Sequence, residues 1–164
     1  MKVTLRPVRL EDDDFLFHLY ASTRREEVEG FGWLPEQQTA FLRMQFSAQK
    51  RSYELAYKGM EHSIILDEAR PIGRIIVFCT ASEVHLVDLS LLSEFRGQGI
   101  GSDLIKGLLH EALAAGRCVG LHVEKRNTRA RRLYDRLGFV LTSEDEMYCA
   151  MRWNPPQNEK MEKE

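Results

Sequence analysis

The sequence predicts an α/β chain of the α+β type: a central, mostly antiparallel mixed sheet of about six to seven strands flanked by about four helices. Three observations carry this. Apolar, strand-like runs at 63–66, 73–80 and 84–91 are joined by the short polar links 67–71 and 81–83, the pattern of an antiparallel meander. Ile100, Leu104, Ile105, Leu108, Leu109, Ala112 and Leu113 then recur at helical spacing up to Gly116, a residue suited to closing a helix. With 164 residues and 43% hydrophobic content, the chain is long enough for a single domain with a sizeable core.

The elements follow in order. Residues 3–9 alternate Val3, Leu5 and Pro7 with Thr4, Arg6 and Val8, as a first strand would. Asp12, Asp13 and Asp14 suit a helix N-terminus, and Phe15, Leu16, Leu19 and Tyr20 give that helix an apolar face ending before Gly30. The segment 30–35 breaks the pattern, and a second helix is expected from about Glu36 to Lys50. After the meander and the 99–115 helix come a buried strand at 119–123, a helix at 128–137 ended by Gly138, and strands at 139–141 and 147–153. The domain is therefore expected at 1–153, with a polar, disordered tail at 154–164.

Composition narrows the function classes. Lysines and arginines number 23 against 25 acidic residues, a net charge of −2, which gives no global case for nucleic acid or an anionic membrane as partner. The start has no apolar core of signal-peptide length and no segment is apolar for long enough to span a bilayer, so a cytoplasmic protein is expected. Cys79, Cys118 and Cys149 are far apart, lie in no CxxC, and read as buried thiols. The five histidines show no i, i+4 pairing, and no metal is expected.

The chemistry concentrates at Arg96-Gly97-Gln98-Gly99-Ile100-Gly101, where a strand-like run ends and the strongest helix begins. The first turn of a helix has about four N–H groups without intrahelical partners, and its dipole adds roughly half a positive charge. Glycines let a phosphate approach those amides. A Walker loop would continue Gly-Lys-Ser/Thr, but Ser102-Asp103 follows; a dinucleotide fingerprint would need glycine at 102 and a parallel sheet.

A second motif follows at fixed separation: Asn127, Ala130, Tyr134 and Gly138-Phe139, on a strand–helix–strand unit. Together the two motifs resemble the GNAT superfamily of acyl-CoA-dependent N-acyltransferases, most sharply from about Val84 to Phe139. The resemblance implies that amides of Arg96, Gly97, Gln98, Gly99, Ile100, Gly101 and Ser102 hold the coenzyme A pyrophosphate. Leu89, Ser90 and Leu91, on a bulged strand splayed from its neighbour, would bind the pantetheine arm through their backbone. Asn127 would bond the pantetheine region and Tyr134 would stand beside the sulfur; Arg131, four residues after Asn127 on the same helical face, is placed either to reach a phosphate or as a solvated helix charge. A phenol with a reference pKa of about 10 is protonated at neutral pH and can donate to a departing thiolate.

The implied activity is transfer of an acetyl group from acetyl-CoA, as cosubstrate, to a primary amine of a small molecule or peptide, by direct attack in a ternary complex. A non-catalytic acyl-CoA-binding module is the alternative. An ammonium must lose a proton before it attacks, and four residues could accept it: His85, Asp88, His122 and Glu124, with His122 and Glu124 placed first because they share one face of their strand. In this superfamily the acceptor enters near the first two helices, here beside Glu26, Glu27, Glu29, Phe31, Trp33, Tyr53 and Tyr57, a set suited to a cationic amine. The last strands of the fold often pair between subunits, which makes a homodimer an expectation to test.

Overall fold

The computed structural model describes residues 2–157. Among the described residues seven strands and four α-helices follow one another in the order β1 (Val3–Pro7), α1 (Asp13–Glu29), α2 (Pro35–Ala56), β2 (Glu61–Asp67), β3 (Arg70–Cys79), β4 (Glu83–Leu91), α3 (Ile100–Ala115), β5 (Cys118–Glu124), α4 (Thr128–Arg136), β6 (Val140–Glu144) and β7 (Tyr148–Trp153). The strands are hydrogen-bonded in the order β1-β2-β3-β4-β5-β7-β6. β1 with β2, β2 with β3, β5 with β7 and β6 with β7 are antiparallel, and β4 with β5 is parallel. The mixed, mostly antiparallel sheet and the count of helices are as the sequence predicts. No helix among the described residues is long and apolar enough to cross a membrane.

The chain packs as two compact units, one built up to Phe78 together with Val87–Gly101, the other from Cys79–Leu86 together with the chain from Ser102 onward. In the first unit, Leu16, Phe46 and Ile64 form one buried cluster and Ala21, Val28 and Leu42 another, so α1 and α2 bury their apolar faces together. Phe17 meets Phe46 edge-on at 5.8 Å, and the Arg43 guanidinium lies 4.2 Å over Phe17 while it pairs with Asp13. In the second unit β5 is buried from Cys118 through Leu121 and again at Val123, whereas His122 is exposed. Ile105 and Ala112 of α3, Phe139, Cys149 and Met151 are also buried.

Two expectations need correction. The second helix runs on to Ala56 rather than ending near Lys50. No glycine or proline stops it before Gly59, and its last turn is held by rings: Tyr53 meets Tyr57 at 6.2 Å, and Tyr57 meets Phe78 at 5.6 Å. Cys79 is exposed, not buried, because it is the last residue of β3 at the turn into β4; Cys118 and Cys149 are buried and all three thiols are free. Of the tail expected at 154–164, residues 154–157 have no regular structure and 158–164 lie outside the described residues.

A buried ion pair anchors the chain's start. Asp12 is only 5% exposed and accepts two bonds of 2.8 Å from the Arg6 guanidinium and one of 2.7 Å from the Arg9 backbone N–H. The hydrogen bonds from Arg6 hold the Asp12 carboxyl below its ordinary range. Its folded pKa therefore lies under the unfolded value of about 3.9, so the stabilisation is complete above about pH 5 and is lost as pH falls through the folded pKa. Asp12→Asn should lower stability at pH 7 by about 3 kcal/mol, the low end for breaking a buried pair because Arg6 retains some exposure. Urea unfolding at pH 7 and pH 3 checks this: the gap between variant and parent should narrow at the lower pH.

Candidate active site

The end of β4 leads into the glycine loop through a single 3-10 turn, Ser93–Phe95. The loop is braced from both sides. Leu92 N–H donates to the Ile72 carbonyl of β3 at 2.8 Å, Gln98 Nε2 donates to the Glu94 carbonyl at 2.8 Å, and Arg70 pairs with Glu94 at 3.0 Å while lying over the Phe95 ring. Gly97 and Gly99 stand at φ 73° and 83°, in the left-handed region that a side chain penalises. A Cβ at Gly99 would meet nothing within 4 Å, so the surface there is open. The helix that follows presents its first-turn N–H groups beside that opening. This backbone can hold a pyrophosphate. Arg96, however, turns its Nε back to the Leu91 carbonyl at 3.0 Å, closing the end of β4 and leaving only the tip of the guanidinium for an anion.

Behind this loop, in the same unit, lies a polar cluster among apolar strands. Arg74, 7% exposed, donates from Nε to Asp88 at 2.6 Å and from Nη2 to Gln49 at 2.9 Å. The Ser90 hydroxyl donates to Asp88 at 3.0 Å. Asp88 is thus engaged as the counter-ion of Arg74, which removes it from the residues suited to accept a proton. Neither Arg74 nor Gln49 was singled out by sequence, although a charge inside an apolar run, as in Ile72-Gly73-Arg74-Ile75-Ile76 and in Leu86-Val87-Asp88-Leu89, has to find a partner or water. His62 sits nearby with its Nε2 buried and without a hydrogen-bond partner among the described residues. Burial, followed by the positive charge of Arg74, pushes its pKa down to about 4.

The second unit brings together residues of β4, β5 and α4. The ladder of β4 and β5 pairs His85 with Gly120, which sets His122 two residues further along. The rings of His85 and His122 lie 5.3 Å apart, and Glu83 Oε1 is 3.7 Å from His85 Nδ1. Burial first, and the His122 charge second, push the His85 pKa down, while Glu83 opposes them. Glu124, on the same face as His122, lies 3.7 Å from Arg126. Asn127 caps α4: its Oδ1 accepts from the Ala130 N–H at 3.1 Å, which leaves the side-chain amide nitrogen as its donor. Tyr134 is half-buried, with its ring 5.6 Å from Phe139, and Arg131, one turn before it, is partly buried.

A model of the acetyltransferase (GNAT) family matches residues 16–139. The chain belongs to the GNAT acetyltransferase family. This GNAT chain is 33% identical over 124 residues to mycothiol acetyltransferase of Corynebacterium glutamicum, a match covering 73% of the chain and 41% of that protein. The match therefore covers less than half the length of that relative. It is 27% identical over 156 residues to the uncharacterized N-acetyltransferase YycN of Bacillus subtilis, covering 87% of this chain and 95% of the other. Its fold is shared with the crystal structure of PaiA N-acetyltransferase from Thermoplasma acidophilum in complex with coenzyme A. There the TM-score is 0.70 at 18% identity, over 94% of this chain and 99% of that one.

The sequence motifs of the GNAT chain thus fall on the elements expected of them. His85 gains weight through its partners, and Glu83, read from sequence as part of a link, is the first residue of β4. The state of His62 gives a direct test. Its folded pKa is below the unfolded value of about 6.5, so between those values the unfolded chain binds more protons and stability falls as pH drops. NMR should find its C2–H midpoint near about 4, and His62→Leu should flatten the loss of urea stability between about pH 6.5 and 4. A midpoint at or above 6 is the contrary result.

Proposed function

We propose that this chain is an N-acetyltransferase that transfers the acetyl group of acetyl-CoA to a primary amine of a small molecule or peptide, by direct attack in a ternary complex. The observation that carries this reading is the braced loop at Arg96–Gly101, with two left-handed glycines opening onto the first turn of α3. Bound acetyl-CoA supplies an activated thioester carbonyl. The amides from Arg96 to Ser102 bind its pyrophosphate, where the helix dipole favours negative charge. Backbone groups of Leu89, Ser90 and Leu91 take the pantetheine arm; the Leu91 carbonyl is already engaged by Arg96, so the donors of this segment matter more than its acceptors. Asn127 contributes its side-chain amide N–H, and Arg131 a phosphate contact.

Tyr134 acts as the acid, donating its phenolic proton to the departing thiolate sulfur. His122 and Glu124 share one face of β5 and take the proton of the amine, directly or through water. Asp88 has no part in this because Arg74 holds it. The Cys79, Cys118 and Cys149 thiols lie outside both motifs, so no acyl-cysteine step is invoked.

A panel of primary amines read by thiol release tests the activity. Acetyl-CoA should raise the melting temperature, since it binds only the folded chain, and at least one amine should release free CoA. Tyr134→Phe should lower kcat by about 100-fold or more, the range for losing a general acid, with KM for acetyl-CoA little changed. An unchanged kcat removes the acid role from Tyr134, and no thermal shift at millimolar acetyl-CoA removes the activity.

A further inference from the structure

One face of β4 and β5 carries a row of groups that the acetyl-transfer reading uses only in part. Glu83 and His85 project from the same side of β4, two residues apart, as do His122 and Glu124 from β5. Glu83 is paired in register with Cys118 and His85 with Gly120. The carboxylate of Glu83 reaches His85 Nδ1 at 3.7 Å, and the two imidazoles face each other at 5.3 Å, tilted by 53°. Gly120 makes this possible. A Cβ there would overlap the Glu83 carboxylate and stand 3.5 Å from His85 Nδ1, so the missing side chain is the space in which the carboxylate lies.

We propose that Glu83 is a positioning residue of the proton-accepting site, holding the proton of neutral His85 on Nδ1 so that the lone pair on Nε2 serves, with His122, to accept the proton of the attacking amine. The proposal rests on the N-acetyltransferase reading above. Neutral imidazole carries one N–H, and a carboxylate beside one ring nitrogen favours the proton there. His85 is largely buried, with its side chain 15% exposed, which favours the neutral ring that a base requires. The neighbouring ring adds to this, because positive charge on His122 disfavours a second positive charge on His85.

The proton balance is simple. An ammonium N–H bond breaks, an N–H bond forms at Nε2, and the imidazolium, stabilised by Glu83, returns the proton to water. Other charged and titratable groups near the pair include Glu124, Lys125 and Arg126 at the end of β5, Asp145 before β7, and Tyr148 and Arg152 of β7, which pair in register with Glu124 and Gly120; the charge of Glu83 also acts on Arg152. Most already have partners. Arg152 donates to the Cys118 sulfur at 2.8 Å, Asp145 accepts from the Met147 and Tyr148 backbone N–H groups, and Lys125 pairs with Glu144 at 3.6 Å. Glu83 is the carboxylate against Nδ1.

Long-range 1H–15N NMR of the imidazole rings at pH 7.5 reads the tautomer without any substrate. His85 should carry its proton on Nδ1 in the parent chain, and the Nε2–H form should grow in Glu83→Ala and in Gly120→Ala, the second variant displacing the carboxylate without deleting it. In turnover, Glu83→Ala should lower kcat about tenfold, below the range for losing a base outright. It should also move the acidic limb of the pH profile to lower pH, because the charge that favours protonated His85 is gone. Glu83→Gln, which keeps an acceptor oxygen, should recover part of the rate. A parent ring protonated on Nε2, or a tautomer unmoved by both variants, overturns the proposal, as does an unchanged kcat and pH profile in Glu83→Ala. The expected tautomer in a chain that turns over no amine supports the positioning by Glu83 and counts against the N-acetyltransferase reading instead.

Discussion

The ion pair of Arg74 with Asp88 is the constraint on which the first unit depends. Taking two charges out of water costs several kcal/mol each, and that cost is recovered only where geometry and further hydrogen bonds are good. Here the contact is 2.6 Å, Gln49 of α2 accepts a second guanidinium N–H, and Ser90 donates to the carboxylate. One pair thereby ties β3, β4 and α2 to a common register. Burial first, and the same positive charge second, favour the neutral ring of His62, so this nearby group adds no second cation to the cluster.

What the pair fixes, the glycine loop uses. A helix N-terminus is a weak anion site while the chain leading into it is free to move, because ordering that chain would draw on the binding energy. In this fold the approach is already ordered. Ile72 accepts from Leu92, Arg70 holds Glu94, and Arg96 returns to the Leu91 carbonyl, so β3 and the end of β4 position the loop before any ligand arrives. Gly97 and Gly99 then take conformations that other residues would adopt at a cost of roughly 1 kcal/mol or more each.

Much of this was legible in the sequence, and the boundary of legibility has physical reasons. The meander, α3 and α4 are marked by local punctuation and periodicity: the polar links, the apolar stripe of Ile100 to Leu113, the cap at Asn127 and the closing Gly116 and Gly138. The two motifs gave the family because each depends on local spacing. The last turn of α2 was not legible, since Tyr57 owes its place to Phe78, on the second strand that follows it. Cys79 looks buried within an apolar run, yet a strand end exposes it. Arg74 finding Asp88, and His85 finding His122, depend on strand pairing and register, which a single sequence does not encode in any local pattern.

The two acidic residues of β4 also show how distance and burial divide labour between groups of the same chemistry. Asp88 meets a guanidinium that stays charged, at 2.6 Å and with 20% of its side chain exposed, so its oxygens are committed to holding Arg74 in place. Glu83 meets an imidazole at 3.7 Å with 36% of its side chain exposed, a contact loose enough for the ring to change charge while the carboxylate biases which nitrogen does so. A group that moves protons has to pass through two charge states in each cycle, and the looser arrangement suits that. Of the two carboxylates on β4, the one inside an apolar run, Asp88, is therefore the one the fold uses as a structural counter-ion.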